Sequence, residues 1–178
     1  LQTMVSLLRL QGAESNEEAT VRALARAEIR VMAMAAAHEQ MHGPRPVEEI
    51  DVRLLAERIT GEAVRLTHAP TRIDVSGDQV RVPMASAVTL SLLVSELVVT
   101  ALSMVPAEGD TPLRVELEDA GRAARIHVSG PPADRGEAGL GGRDVVNALV
   151  ATVGATLDSR VVEGRARHTI EFPLSPSG

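Results

Sequence analysis

The sequence predicts an α+β protein: a helical hairpin that forms a dimeric four-helix bundle, followed by an α/β sandwich in which helices cover a mixed sheet. Three observations carry this expectation. Apolar residues through positions 1–41 recur at helical spacing, interrupted around Gly12. Gly43-Pro44-Arg45-Pro46 then breaks the pattern. Beyond it, segments alternating apolar and polar residues are interleaved with segments of helical period. Two domains follow from this: a helical hairpin over 1–43 and a sandwich over 44–178.

The elements follow in order. Leu1–Leu10 reads as the end of a helix, with Leu1, Val5 and Leu8 on one face. Gly12 stops it, and Ser15-Asn16-Glu17-Glu18 supplies a cap and first-turn acids for the next helix, Glu17–Met41. There Val21, Leu24, Val31, Met34, His38 and Met41 keep a near-heptad stripe. A hairpin alone leaves that stripe exposed; two hairpins packed together bury it, so a homodimer is expected. Past the break, Asp51 caps a helix to about Leu66, with Val52, Leu55, Ile59 and Ala63 inward. Arg72–Ser76 and Gln79–Val82 read as strands around a hairpin-like turn at Gly77-Asp78. An apolar helix spans Met84 to about Met104, ended by Pro106. Leu113–Glu118 and Ala123–Val128 alternate as strands, Ser129–Ala138 as a Gly/Pro loop, Gly142–Val153 as a helix, and Thr156–Val162 and Ala166–Phe172 as the last strands.

Composition excludes several function classes. All 18 basic residues are Arg, in an acidic chain of net charge −6. Scattered Arg without a basic stripe, one Phe and no Trp or Tyr argue against a nucleic-acid partner. The absence of Lys excludes lysine catalysis and a Walker-type P-loop, and the absence of Cys excludes thiol chemistry. The apolar run Val88–Val105 is interrupted by Ser91, Ser95, Glu96 and Thr100, so no membrane contact is expected of this chain. No signal peptide is visible, and the pattern at Leu1 opens mid-helix, so the chain reads as a fragment.

Several segments carry a family resemblance. Leu1-Gln2-Thr3-Met4-Val5-Ser6-Leu7-Leu8-Arg9-Leu10-Gln11 resembles the L-Q-x-[VI]-x-S-L-L-x-L-Q segment of sensor histidine kinases, in the subfamily with phosphoacceptor motif H-R-x-K-N-N. Ala35-Ala36-Ala37-His38-Glu39 resembles the A-L-V-H-E end of that family's second helix. Ser95-Glu96-Leu97-Val98-Val99-Thr100-Ala101-Leu102 resembles its N box, N-E-L-V-T-N-A-L. Gly139-Leu140-Gly141-Gly142-Arg143-Asp144-Val145-Val146 resembles its G2 box, G-L-G-L-x-L-V, and Thr169–Leu174 its last strand. The resemblance covers nearly the whole chain. It implies a sandwich of the histidine-kinase ATPase type, a cytoplasmic homodimer, ATP and Mg²⁺ as cofactors, and a response regulator receiver domain as partner. It places the phosphoacceptor histidine upstream of residue 1; none of His38, His42, His68, His127 and His168 matches it.

The departures from the family pattern fall on the nucleotide site. The Mg²⁺-holding Asn of the N box is matched by Thr100, whose hydroxyl is a shorter oxygen donor; the preceding Thr is Val99, and the downstream Lys-His pair is Ser103-Met104. The G1 box D-[DN]-G-x-G is matched by Val128-Ser129-Gly130-Pro131-Pro132. Valine cannot accept the adenine amino hydrogen bond that the family's Asp accepts, and a site built for that bond loses affinity without it. The resemblance therefore leaves Glu96 as the candidate catalytic residue and Thr100, Gly130, Gly139, Gly141 and Gly142 as a vestigial nucleotide site. Each also has a plainer reading. Glu96 pairs with an Arg or reaches solvent, Thr100 bonds a backbone carbonyl, and the glycines form a loop feeding a helix. Arg22, Arg26 and Arg30 read as a solvated helix face. Three functions remain open: a phosphotransfer protein or pseudokinase with impaired ATP binding, an active divergent kinase, and a non-catalytic dimerisation or docking module.

Overall fold

The computed structural model describes residues 18–41, 48–106, 111–132 and 143–174. The expectations for the first helix, the Gly-Pro break, residues 133–138 of the Gly/Pro loop and Gly139, Gly141 and Gly142 lie outside these residues. Four helices are described: α1 (Glu18–Met41), α2 (Val52–Thr67), α3 (Met84–Ser103) and α4 (Arg143–Thr152). Seven strands accompany them: β1 (Glu49–Asp51), β2 (Ile73–Gly77), β3 (Arg81–Pro83), β4 (Leu113–Asp119), β5 (Ala123–Pro132), β6 (Thr156–Val162) and β7 (Arg165–Pro173). The predicted α+β class and the mixed sheet with helices over it are both present.

Five strands form one sheet in the order β2-β4-β5-β7-β6, with β2 parallel to β4 and the other pairs antiparallel. Period-two patterning gives the sheet one apolar face. Leu113, Val115 and Leu117 on β4, Ala124, Ile126 and Val128 on β5, and Ala166, Ile170 and Phe172 on β7 are all buried. Ile126 stands level with Leu117 on one side and Ile170 on the other, so these side chains form one row under the helices. Burying each such side chain contributes about 1.5–3 kcal/mol.

The predicted hairpin at Gly77-Asp78 is corrected. β2 pairs with β4, and β3 turns away to pair with β1, a three-residue strand too short to leave a period in the sequence. Gly77 still has a strict role: at φ +103° it passes so close to β4 that a Cβ would lie 2.0 Å from the Leu117 carbonyl oxygen. Asp78 then clasps β4, its amide donating to Leu117 O at 2.8 Å and its carboxylate accepting from the Asp119 amide at 2.9 Å. A second correction lengthens β5 through Pro132, with an irregularity between Ser129 and Pro132, where the sequence reads as loop. A bulge of this kind lets Gly and Pro sit in a strand.

α2 starts as expected: the Asp51 carboxylate accepts from the amides of Arg53 and Leu54. α3 is the central helix. It packs against α1, α2, α4 and β5, and Leu90, Leu93, Val94, Leu97 and Val98 are wholly buried. Contrary to the sequence expectation, it is long and apolar enough to cross a membrane by length and composition alone. Its burial, 72% of the most apolar window, identifies it as a core helix. α1 lies on α2 and α3 of the same chain, through Ile29, Ala33, Ala36 and Ala37. The small side chains let the helix backbones approach closely. The predicted near-heptad stripe is a different face: Val21 and His38 are exposed, Leu24 and Met34 are half-buried, and Val31 is buried.

Candidate functional site

Glu96 and Thr100 are one helical turn apart on α3, so their side chains share a face. Both are buried, each with 2% of its surface exposed. A carboxylate at that depth is tolerated only with a partner. The partner comes from α1: Arg30 donates through Nε to Glu96 Oε1, and Arg26 Nη1 stands 3.9 Å from Oε2. The Arg30 guanidinium is held above its ordinary pKa, first by this hydrogen bond. The expectation of a solvated Arg face is thus corrected at Arg26 and Arg30. No local spacing signals the contact, because it joins residues 66 positions apart.

Thr100 also departs from expectation. Its hydroxyl does not bond a backbone carbonyl: Oγ1 is buried and has no hydrogen-bond partner. Ser91, Ser95 and Ser103 on the same helix do bond carbonyls one turn back, Ser103 using the Thr100 carbonyl at 2.7 Å. Glu96 Oε2 likewise has no hydrogen-bond partner. The two orphaned oxygens therefore lie on one helix face.

Gly130 lies buried in β5, where a Cβ would stand 3.4 Å from Met104 Cε and 3.6 Å from Ala166 Cβ. Met104 thus lies over the strand beside Gly130. Val128, two residues earlier, is 1% exposed and belongs to the apolar core. Opposite it in register on β7 is His168, wholly buried. Its Nδ1 is 2.9 Å from Ser159 Oγ on β6, while Nε2 is buried without a partner. Burial pushes the His168 pKa down, so the ring is neutral at pH 7. Its place among Ala166, Ile170 and Phe172 on the buried face, visible as period-two alternation, is the signal that identifies it as inward. His127 points the other way. Its ring nitrogens lie 2.9 Å from Thr169 Oγ1 and 3.4 Å from Glu118 Oε2, and burial pushes its pKa down as well.

These residues do not fit ATP and Mg²⁺ as they are arranged. The position expected to accept the adenine amino group is an apolar core residue. The candidate catalytic carboxylate, Glu96, is already paired with the Arg30 guanidinium. Among the described residues, no group of three or more His, Asp or Glu side chains could hold a metal ion.

Residues 1–67 match the family model HisKA_2, described as a histidine kinase. No curated protein matches the chain. Among solved structures, the chain resembles the Erythrobacter litoralis EL346 blue-light activated histidine kinase (TM-score 0.69, 23% identity), covering 90% of this chain and 58% of that one. It also resembles the catalytic domain of histidine kinase ThkA (TM-score 0.60, 18% identity), covering 72% of this chain and 97% of that one. The Acinetobacter baumannii histidine kinase AdeS matches at TM-score 0.53 and 14% identity, covering 98% and 96%. The chain therefore spans little more than half of the EL346 structure, while 97% of the ThkA catalytic domain falls within the match.

Proposed function

From a chain with the architecture of a sensor histidine kinase core, a helical segment followed by an ATPase-type domain, we propose a two-component signalling protein with impaired ATP binding. It acts as a phosphotransfer protein or pseudokinase. The observation that carries this reading is the occupation of Glu96 by Arg30 on a helix face with no free acidic group. Val128 at the adenine-binding position supports it. In this reading the hairpin of residues 1–43 dimerises and docks a response regulator receiver domain in the cytoplasm. A phosphoryl group moves between the receiver aspartate and a histidine preceding residue 1. The domain of residues 44–178 serves as a folded partner of the hairpin.

A second reading, an active divergent kinase, is favoured by one observation. Thr100 Oγ1 and Glu96 Oε2, both orphaned, are the kinds of oxygen that coordinate a divalent cation. Isothermal calorimetry with Mg-ATP separates the two. The impaired reading expects no heat of binding at millimolar nucleotide, beside a kinase domain with an intact G1 box that binds under the same conditions. Micromolar binding overturns it in favour of the active kinase. If wild type does not bind, Val128→Asp with Thr100→Asn should raise affinity only if the remaining pocket is intact.

A further inference from the structure

We infer that the free edge of β2 is a pairing surface for the same strand of a second copy of this chain, antiparallel and in the register that sets Arg72 opposite the partner's Asp74. This surface lies apart from the helix face of Glu96 and Thr100, and its pairing does not depend on the functional reading above.

β2 is the last strand of its sheet, with only β4 beside it among the described residues. In a parallel pair, alternate residues turn their amide and carbonyl toward the neighbour. The Arg72 carbonyl accepts from the Leu113 amide at 3.0 Å, and the Asp78 amide donates to the Leu117 carbonyl at 2.8 Å. The even-numbered residues therefore bond β4, and Ile73, Val75 and Gly77 turn their backbone groups outward. The Gly77 carbonyl is already taken by Arg53 Nη1 at 3.3 Å. Ile73 and Val75 remain as an open template of the kind that recruits another strand. Beside this edge lies a groove of about 350 Å³ between α2 and β2, with Val64, Ile73 and Val75 in its lining. Gly61 lines it from within α2, where a Cβ would meet nothing within 4 Å. Glycine weakens a helix interior, and packing gives no reason for it here. What it provides is open space next to the strand edge.

The choice of occupant follows from charge. Arg72 and Asp74 flank Ile73, with side chains 73% and 51% exposed and 3.5 Å apart. When an antiparallel strand pairs through the outward residues, positions 72 and 74 fall in the close, non-hydrogen-bonded pairs. Setting Ile73 opposite the partner's Val75 brings Asp74 against the partner's Asp74. Setting Thr71 opposite the partner's Ile73 brings Arg72 against the partner's Arg72. Like charges directly opposite destabilise a strand pair. Setting Val75 opposite the partner's Val75 requires the Gly77 backbone that Arg53 holds. Setting Ile73 opposite the partner's Ile73 places Arg72 against the partner's Asp74, and does so twice because the contact is two-fold. Charges on an edge ordinarily discourage pairing. This order of charges discourages the neighbouring registers and favours one, so the segment Arg72-Ile73-Asp74 is complementary to itself.

The test follows amide exchange at Ile73 and Val75 by NMR in the full chain, from micromolar to millimolar protein. In wild type both amides should slow by more than about threefold as concentration rises, as mass action requires of a pairing edge. Dimerisation through residues 1–43 does not cover these amides and does not reproduce the effect. Arg72→Asp and Asp74→Arg each set like charges opposite one another in the favoured register, and each alone should abolish the concentration dependence. An equal mixture of the two variants should restore it, because one strand then carries two acids and the other two arginines. Protection that persists in either variant alone, or a mixture that does not recover it, overturns the inference. Ile73→Cys gives a readout free of charge changes. The chain has no Cys of its own, and a hydrogen-bonded pair holds its Cα atoms about 5.5 Å apart, within reach of a disulfide. This variant should cross-link to itself under mild oxidation at millimolar protein, and failure to do so also overturns the inference. An edge that recruits an unrelated extended chain instead leaves Ile73 and Val75 unprotected in wild type at every concentration, with the same consequence.

Discussion

Two arginine–carboxylate clusters occupy the two sides of the sheet, and their surroundings give them different weight. On the outer face Arg125 donates to Glu171 at 2.6 Å and to Glu118 at 3.0 Å, with every partner more than a third exposed. Among the helices Arg30 meets a Glu96 side chain that is 3% exposed. The outer cluster can exchange each contact for water and is screened by salt. The inner one cannot, because Glu96 without Arg30 is an ion in an apolar layer. The same chemistry is therefore decoration in one place and a structural commitment in the other, and the inner cluster adds an ion pair to the apolar seat of α1 on α3.

The sharpest way to break this comparison is Arg30→Ala. Loss of one partner of a buried pair costs about 3–5 kcal/mol, and because Arg30 itself is about a third exposed a loss of about 2–3 kcal/mol is expected in metal-free buffer. Urea denaturation of Arg30→Ala, Glu96→Gln and the double variant measures it. A non-additive cycle with the double variant more stable than Arg30→Ala locates the cost in the stranded carboxylate. Additive losses would mean that the two side chains act independently.

The second effect is pH-dependent. His168 is neutral and buried, its folded pKa below the unfolded value of about 6.5. A group with a depressed folded pKa contributes stability that is fully present above its unfolded pKa. That stability is lost as pH falls below about 6.5 toward the folded value, because only the unfolded chain takes up the proton readily, with a limiting slope of about 1.4 kcal/mol per pH unit for one such group. His168→Leu should flatten the stability profile between pH 6.5 and 5 relative to wild type. His127, shifted the same way, remains in the variant and leaves a residual slope. An unchanged profile would assign the acid sensitivity to other groups.

Thr100 gives a smaller effect of opposite sign. Its hydroxyl is buried without a partner, so Thr100→Val removes an unpaired polar group at nearly constant volume. The variant should be neutral or more stable by up to about 1 kcal/mol. Destabilisation by the same amount would reveal a partner for the hydroxyl in solution.

Much of the architecture was legible in the sequence, for physical reasons that differ between elements. α3 and the strands β4 to β7 carry long, regular apolar periods, and Asp51 announces the start of α2. β1 and the partner of β2 were not legible, because three residues define no period and pairing is a non-local choice. At the site, Glu96 and Thr100 were found through their resemblance to a known motif. Pairing of Glu96 with an arginine was expected and is found, but which arginine was not legible, since the contact between Arg30 and Glu96 depends on how α1 docks. The burial of His168 was not read from the sequence, because its neighbours Arg167 and Thr169 are polar, although alternation places it on the buried side with Ile170.

The least effect is expected on the outer face, and it completes the comparison. Glu171→Gln removes one acceptor from Arg125, yet Glu118 remains beside the guanidinium and water reaches all three side chains. The gain from holding two long side chains in one geometry is offset by the entropy lost in doing so. No measurable shift of the urea midpoint is expected at physiological ionic strength, and any shift seen at low salt should vanish as salt is added. A salt-resistant loss comparable to that of Arg30→Ala would show that the outer face is covered in solution. Burial and not residue type would still be what separates the two clusters, but both would then belong to interfaces, the inner one within the chain and the outer one with a partner.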